Sequence, residues 1–421
     1  MKLYNSLSNQ VETFEPKGNE VSLYVCGITP YDTTHLGHAF TYTMADILVR
    51  YLEMKGVKVK YVQNVTDIDD DILRKAKEVG EDWHTVGNRW TVHYIQDMIS
   101  LNVRPPDYFP RATGAIPDII QNVQRLLEAG VAYESGGSVY YDIEACPEFG
   151  QLSDLPRHQM LPVANERGNH PEDPNKRDPL DFVLWQKSAP GEPSWESPWG
   201  SGRPGWHIEC STLATKYLGK TIDIHGGGAD LCFPHHECEI AQVEPVTGEA
   251  PFSRFWMHTA MVRYQGEKMS KSLGNLVMVR DLLEKYSADA IRLYLANQHY
   301  REPWSYNEKG LQEAEVLASR IREACAFRGG VDTPLDPSAA WATFTAALDN
   351  DLDTPGARRA LATLAGAILE ASRAKRSIEE AQVALRKMIT VLGLQLAGGP
   401  DEQVIRGWDV YLKEFGAEVE D

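Results

Sequence analysis

The sequence predicts an α/β protein in which a parallel sheet carries an insertion and is followed by a helical bundle. Three observations predict it. Residues 21–79 alternate a short β-branched run, a run of helical period, a second short run and a second helical run. Residues 136–205 lose that alternation and fill with Pro, Gly and polar residues. Beyond residue 310 the apolar period is helical throughout.

The first predicted strand is Val21 to Cys26, VSLYVC, broken by the stretch from Gly27 to Thr34. A helix follows His35 and stops at Gly56. Val57 to Asn64 is the next strand, and TDIDDDILRKAKEVG the next helix. A sheet of this kind binds ligands at the carboxyl ends of its strands. Cys26, His35-Leu-Gly-His38 and NVTD all fall there. Residues 85–135 are predicted helical, with LNVRPPDYFPRA as a break, and 136–205 strand and loop. The insertion therefore covers roughly 85–205 of a domain spanning 1–310. Its Trp185, Trp195, Trp199 and Trp206 fit core or rim packing. Residues 255–275 give a strand, a turn and a Lys/Ser loop; Leu282 to Leu295 gives a helix. Residues 311–395 form a helical domain, and 396–421 a short amphipathic tail with an acidic end.

A chain of 421 residues exceeds one simple core and points to two or three domains. Apolar content of 43% and charged content of 24% are those of a soluble globular protein. No apolar run is long enough to span a membrane. MKLYNSLSNQ lacks a signal pattern, which predicts a cytoplasmic location. Six scattered cysteines argue for thiols or metal ligands over a disulfide framework. A net charge of −18 argues against a broad nucleic-acid footprint but leaves room for a local basic groove.

The richest stretch is DIHGGGADLCFPHHECEIAQ, Asp223 to Gln242. Its three glycines predict a turn closed to side chains, and Pro234 is placed to open a helix. His235 and Glu239, four apart, then share one helix face. With Cys26 in YVCG and Cys210 in GWHIEC they make a tetrahedral zinc set of two thiolates, an imidazole and a carboxylate. Taken alone, H-x-x-x-E is more often ordinary helix surface.

His35-Leu-Gly-His38 lies where a strand passes into a helix, so free first-turn N–H groups and the helix dipole are expected to meet phosphate. Lys268-Met-Ser-Lys271-Ser272 puts two lysines on a Ser/Gly loop, suited to a triphosphate whose leaving group gains charge. Either string alone also fits an ordinary turn. The two in this order, about 230 residues apart, are specific together.

CGITPYDTTHLGH, GRPGWHIECS, DIHGGGADLCFPHHECEIAQ and EKMSKSLGN resemble the cysteine branch of class I aminoacyl-tRNA synthetases, over residues 1 to about 395. The resemblance implies a Rossmann-like catalytic domain of HUP type, then a helical domain. It implies one Zn2+ on Cys26, Cys210, His235 and Glu239. ATP, with Mg2+, would be bound and turned over by His35, Gly37, His38, Lys268 and Lys271. Gly27, Thr29, Thr66, Trp206, His225 and Asp230 would line the cysteine and adenylate pocket. L-cysteine would attack the α-phosphate of ATP to give cysteinyl-AMP and pyrophosphate. A soft zinc ion ligating the substrate sulfur would reject serine without editing.

The branch has two arms. One transfers cysteine to the 3′ end of tRNA-Cys; the other forms an amide with the amine of glucosaminyl-inositol in the mycothiol pathway. Glu239, DIHGGG and LDNDLDTPGA fit the first arm. CGITPYD, ERGNHPEDPNKRDPLD, LDTP and HYREPW resemble the second. Residues 311–421 hold 12 Lys/Arg against 18 Asp/Glu, and no anticodon-reading module is recognisable in the tail. The zinc set puts tRNA ahead, with a small amine as the alternative acceptor, and the chain is expected to be a monomer. A nucleotidyltransferase also uses HxGH but has no need of KMSKS with these zinc ligands. A non-catalytic binding descendant would have no reason to keep all three intact.

Overall fold

The computed structural model describes residues 1–32, 34–269, 274–396 and 398–417, with the backbone alone at Lys268. The chain opens with a hairpin, β1 (Lys2–Asn5) and β2 (Gln10–Thr13). The first half of the main sheet follows as β3 (Glu20–Ile28), α1 (Leu36–Met54) and β4 (Lys58–Val65). α2 (Asp70–Val79) comes next, and the insertion begins with α3 (Trp83–Ser100) and α4 (Ile116–Glu128). It continues with β5 (Ala132–Ser135), β6 (Ser138–Tyr141), α5 (Arg157–Asn165), β7 (Phe182–Lys187) and β8 (Gly202–Pro204). The second half is α6 (Trp206–Leu218), β9 (Ile222–Gly228), α7 (Glu237–Thr247) and β10 (Ser253–Thr259). Beyond it lie β11 (Val262–Tyr264), β12 (Glu267–Lys268), α8 (Val279–Leu283), α9 (Ala288–Leu295) and β13 (Trp304–Tyr306). Five helices follow: α10 (Glu308–Ala326), α11 (Ser338–Asp349), α12 (Thr354–Arg373), α13 (Glu379–Leu392) and α14 (Glu402–Glu414).

The main sheet has the order β10-β9-β3-β4, and every pair in it is parallel. The chain leaves β3 to one side for β4 and returns on the other for β9. That reversal opens a crevice at the carboxyl ends of β3 and β9. Strand pleating sorts β3: Val21, Leu23 and Val25 enter the core shared with the helical bundle, while Tyr24 and Cys26 enter the core shared with the insertion. The insertion's own sheet, β5-β6-β7-β8, is antiparallel and walls one side of the crevice.

Two expectations are corrected here. Gly226 to Gly228 do not form a turn; they continue β9, paired with Met257, His258 and Thr259 of β10. Space, not a left-handed φ, requires glycine: a Cβ on Gly227 would stand 2.9 Å from Leu231 and 3.1 Å from His236. The helix expected from Leu282 to Leu295 is two, because Ser287 caps a fresh start by accepting from the Ala290 amide.

A buried polar knot joins the sheet domain to the bundle. Asp46 on α1 accepts from Arg50, from the Arg104 amide and from Arg292 on α9. Arg292 also donates to the carbonyls of Leu101 and Leu392. The last helix folds back rather than trailing away: Trp408 on α14 is fully buried and donates to the Val103 carbonyl at 2.8 Å. Among the described residues no helix is long and apolar enough to cross a membrane.

Candidate active site

A cavity of about 1120 Å³ opens over the carboxyl ends of β3, β4 and β9. Its floor comes from three segments distant in sequence. Cys26 sits near the end of β3. Cys210 lies one turn into α6, whose start is pressed against β7: a Cβ on Gly205 would be 2.0 Å from the Val183 carbonyl oxygen. His235 and Glu239 come from the entry and first turn of α7, where the helix restarts after an extended residue at Phe233. Relative exposures of Cys26, Cys210, His235 and Glu239 are 5%, 2%, 1% and 0%.

One ligand atom from each of these four lies within 4.8 Å of all the others. The Cys26 Sγ–Glu239 Oε1 separation is 3.7 Å, and His235 Nε2–Glu239 Oε1 is 3.3 Å. A tetrahedral cation with sulfur, nitrogen and oxygen ligands has edges of roughly 3.3–3.8 Å, so these separations fit one. Burial pushes the Cys26 thiol and the Glu239 carboxyl well up, and the His235 imidazolium well down. A cation is therefore what would hold this set deprotonated.

A second donor set, Cys26, His225, His236 and Glu239, shares two of these ligands. The cavity discriminates between them. Cys26, Cys210 and His235 line it, with Glu239 just beneath them, so the first set reaches the cavity through three residues and the second through Cys26 alone. His225 and His236 instead grip the floor from behind. His225 Nε2 is 2.9 Å from Glu239 Oε2, and His236 Nε2 is 3.3 Å from Cys26 Sγ. His207 Nδ1 meets His235 Nδ1 at 2.9 Å. Burial pushes His207, His225 and His258 down to about 3 and His236 well below its usual value, so all are neutral imidazoles. His225, expected to line the pocket, is thus placed behind Glu239. The outer roles of His207, His236 and His258 escaped the sequence reading, although GWHIEC, PHHEC and WMHT displayed them.

The rim is built differently. His35 caps α1: its Nδ1 accepts from the Gly37 amide at 3.1 Å and the His38 amide at 3.4 Å. Leu36 N donates to the Val277 carbonyl and Ala39 N to that of His35. The first-turn amides expected to be free for phosphate are therefore all engaged, and the imidazoles take their place at the cavity edge. The His35 and His38 rings stack at 3.7 Å. Gly37 is required beneath them, since a Cβ there would stand 2.9 Å from the His35 ring. Gly27, Thr29, Thr66, Trp206 and Asp230 line the same cavity, with Trp206 stacked on His235 at 4.4 Å. The Lys268 side chain and Lys271 lie outside the described residues.

A parallel sheet with this crevice, topped by HxGH and followed by a helical bundle, is the fold of class I aminoacyl-tRNA synthetases. The methionyl-tRNA synthetase of Mycobacterium tuberculosis in complex with methionyl-adenylate superposes with a TM-score of 0.64, 16% identity and 89% of each chain covered. The LeuRS of Agrobacterium radiobacter, in its ternary complex with tRNA, gives a TM-score of 0.62 at 11% identity, covering 96% of this chain and 86% of that one. In sequence, the family model described as the tRNA synthetases class I (C) catalytic domain matches residues 13–316, and a DALR domain matches 343–397. The cysteine--tRNA ligase of Dehalococcoides mccartyi is 44% identical over 94% of this chain and 86% of its own length. That of Alkalilimnicola ehrlichii is 45% identical over 97% and 88%. The chain belongs to the class I (C) tRNA synthetase family.

Proposed function

We propose that this protein activates L-cysteine with ATP and transfers it to the 3′ end of tRNA-Cys, acting as a monomer. The observation that carries the reading is the buried Cys26/Cys210/His235/Glu239 set at the floor of a cavity whose rim holds His35 and His38. Zn2+ suits two thiolates, an imidazole and a carboxylate better than harder cations do. When bound, zinc would take up a substrate thiolate and refuse a hydroxyl, which would make an editing site unnecessary.

The chain's own residues do the rest. Trp206, packed on His235, closes one side of the amino-acid pocket against water. Asp230, paired with Arg167 at 3.3 Å, lines the cavity and would face the cysteine and adenylate pocket. Gly27 at the cavity edge must lack a side chain because a Cβ would stand 1.5 Å from the Asn64 carbonyl oxygen, and its amide donates to Asn64 Oδ1 at 2.8 Å, which fixes the backbone beside Cys26. The cysteine carboxylate attacks the α-phosphate of ATP and pyrophosphate leaves. His35, His38, Lys268 and Lys271 stabilise the charge that builds on the phosphates; the step needs positioning and charge stabilisation more than a base.

The test supplies ATP and labelled cysteine with tRNA-Cys or glucosaminyl-inositol in separate reactions. Labelled tRNA supports the proposal. Label on the amino sugar alone would move the protein to the amide-forming arm, and absence of cysteine-dependent ATP–pyrophosphate exchange would remove both.

A further inference from the structure

Behind the floor, one line of hydrogen bonds runs from Cys26 to the N-terminal hairpin. His236 Nε2 is 3.3 Å from Cys26 Sγ, and His236 Nδ1 is 2.8 Å from His258 Nε2. His258 Nδ1 is 2.7 Å from Ser6 Oγ. Ser6, directly after β1, is held at this point by β10. Its amide donates to the Trp256 carbonyl, and the Asn5 side chain bonds the Arg254 carbonyl and the Trp256 amide. The β1 end is thereby stitched onto β10, two residues from His258.

We infer that the Ser6 hydroxyl is a positioning residue that sets the direction of this line and, through it, the tautomers that hold Cys26 as a metal-binding thiolate. The inference rests on the zinc reading above. A thiolate has lone pairs only, so His236 Nε2 must donate to it. A neutral imidazole carries one N–H, so His236 Nδ1 must accept, and His258 Nε2 must donate to it. His258 Nδ1 is then an acceptor, and the only proton that Ser6 Oγ owns must point to it. Reversing one link reverses them all and turns an imidazole lone pair toward the thiolate. Outer partners of metal ligands fix orientation and basicity in this way. Here the anchor lies three hydrogen bonds from the sulfur and about 20 residues before it in sequence.

Nitrogen-resolved NMR of the zinc-loaded protein, labelled at histidine, is expected to show His236 and His258 both as Nε2–H tautomers. In Ser6→Ala, His258 is expected to gain an Nδ1–H population. Zinc affinity, read by chelator competition, should weaken about threefold to tenfold, less than for a direct outer ligand. Ser6→Thr keeps the hydroxyl and should retain both properties. An Nδ1–H tautomer on either ring of the zinc-loaded wild type overturns the inference, as does Ser6→Ala with unchanged tautomers and zinc affinity. Because the wild-type tautomers decide by themselves, a poorly folding variant leaves the test intact. Wild-type protein that binds no zinc would instead overturn the functional reading on which the inference stands.

Discussion

The floor and the rim of the cavity make opposite use of the same side chain. On the rim, His35 and His38 are neighbours in sequence, half-buried, and spend their inner nitrogens capping their own helix. At the floor and behind it, His207, His225, His235 and His236 come from three elements, are fully or nearly fully buried, and meet one another or the thiol and carboxylate donors. At the floor, Cys26, His235 and Glu239 each meet a buried histidine from another element. On the proposed function, selectivity falls to the buried floor and charge stabilisation to the rim.

The largest way to break this contrast is to remove a floor donor. Cys210→Ala or His235→Ala is expected to lose bound zinc and with it cysteine-dependent ATP–pyrophosphate exchange. Metal analysis beside the exchange assay checks this, and full exchange in zinc-free protein would refute it. Next comes the rim. Lys271→Ala is expected to lower adenylate formation about 10²–10³-fold, the scale for one lost charge-stabilising group. Its zinc content and melting temperature should not change, so single-turnover kinetics with metal analysis separates rim from floor.

A gentler change sharpens the comparison. His225→Leu removes the partner of Glu239 without touching the cavity lining, and zinc affinity should fall about 10–100-fold by chelator competition. Least effect on turnover is expected at Asp46→Asn, in the knot between sheet domain and bundle. Burial by itself would raise the Asp46 carboxyl, but Arg50 and Arg292 outweigh it and hold the carboxyl below its usual range. The native state thus binds this proton less tightly than the unfolded chain does. The contribution is complete above the unfolded value, about 3.9, and is lost as pH falls through the folded one. Asp46→Asn should cost about 3–5 kcal/mol in unfolding experiments at neutral pH, less at acid pH, with zinc retained.

Much of this was legible in order along the chain. The alternation of periods gave the parallel sheet, because strands buried on both faces and amphipathic helices leave different apolar spacings. Cys26, Cys210, His235 and Glu239 could be named because their side-chain chemistry is rare and their strings are distinctive. What misled was local. Three consecutive glycines predict a turn, yet β10 pairing keeps them extended, and crowding by Leu231 and His236 explains the missing side chain at Gly227. First-turn amides were expected to be free, yet His35 takes two of them, a choice its χ angles make and its identity does not announce.

The sequence by itself determined the inventory: a parallel α/β sheet, a helical bundle, two phosphate-type strings and a sulfur-rich donor set. It could do so because periodicity and side-chain chemistry are properties of short stretches. Only the tertiary structure decided which histidines face substrate and which stand behind the donors. The pairing of β9 with β3 and β10, and the entry angle of α7, fix those distances, and no spacing along a chain records an approach between residues 6, 26, 236 and 258.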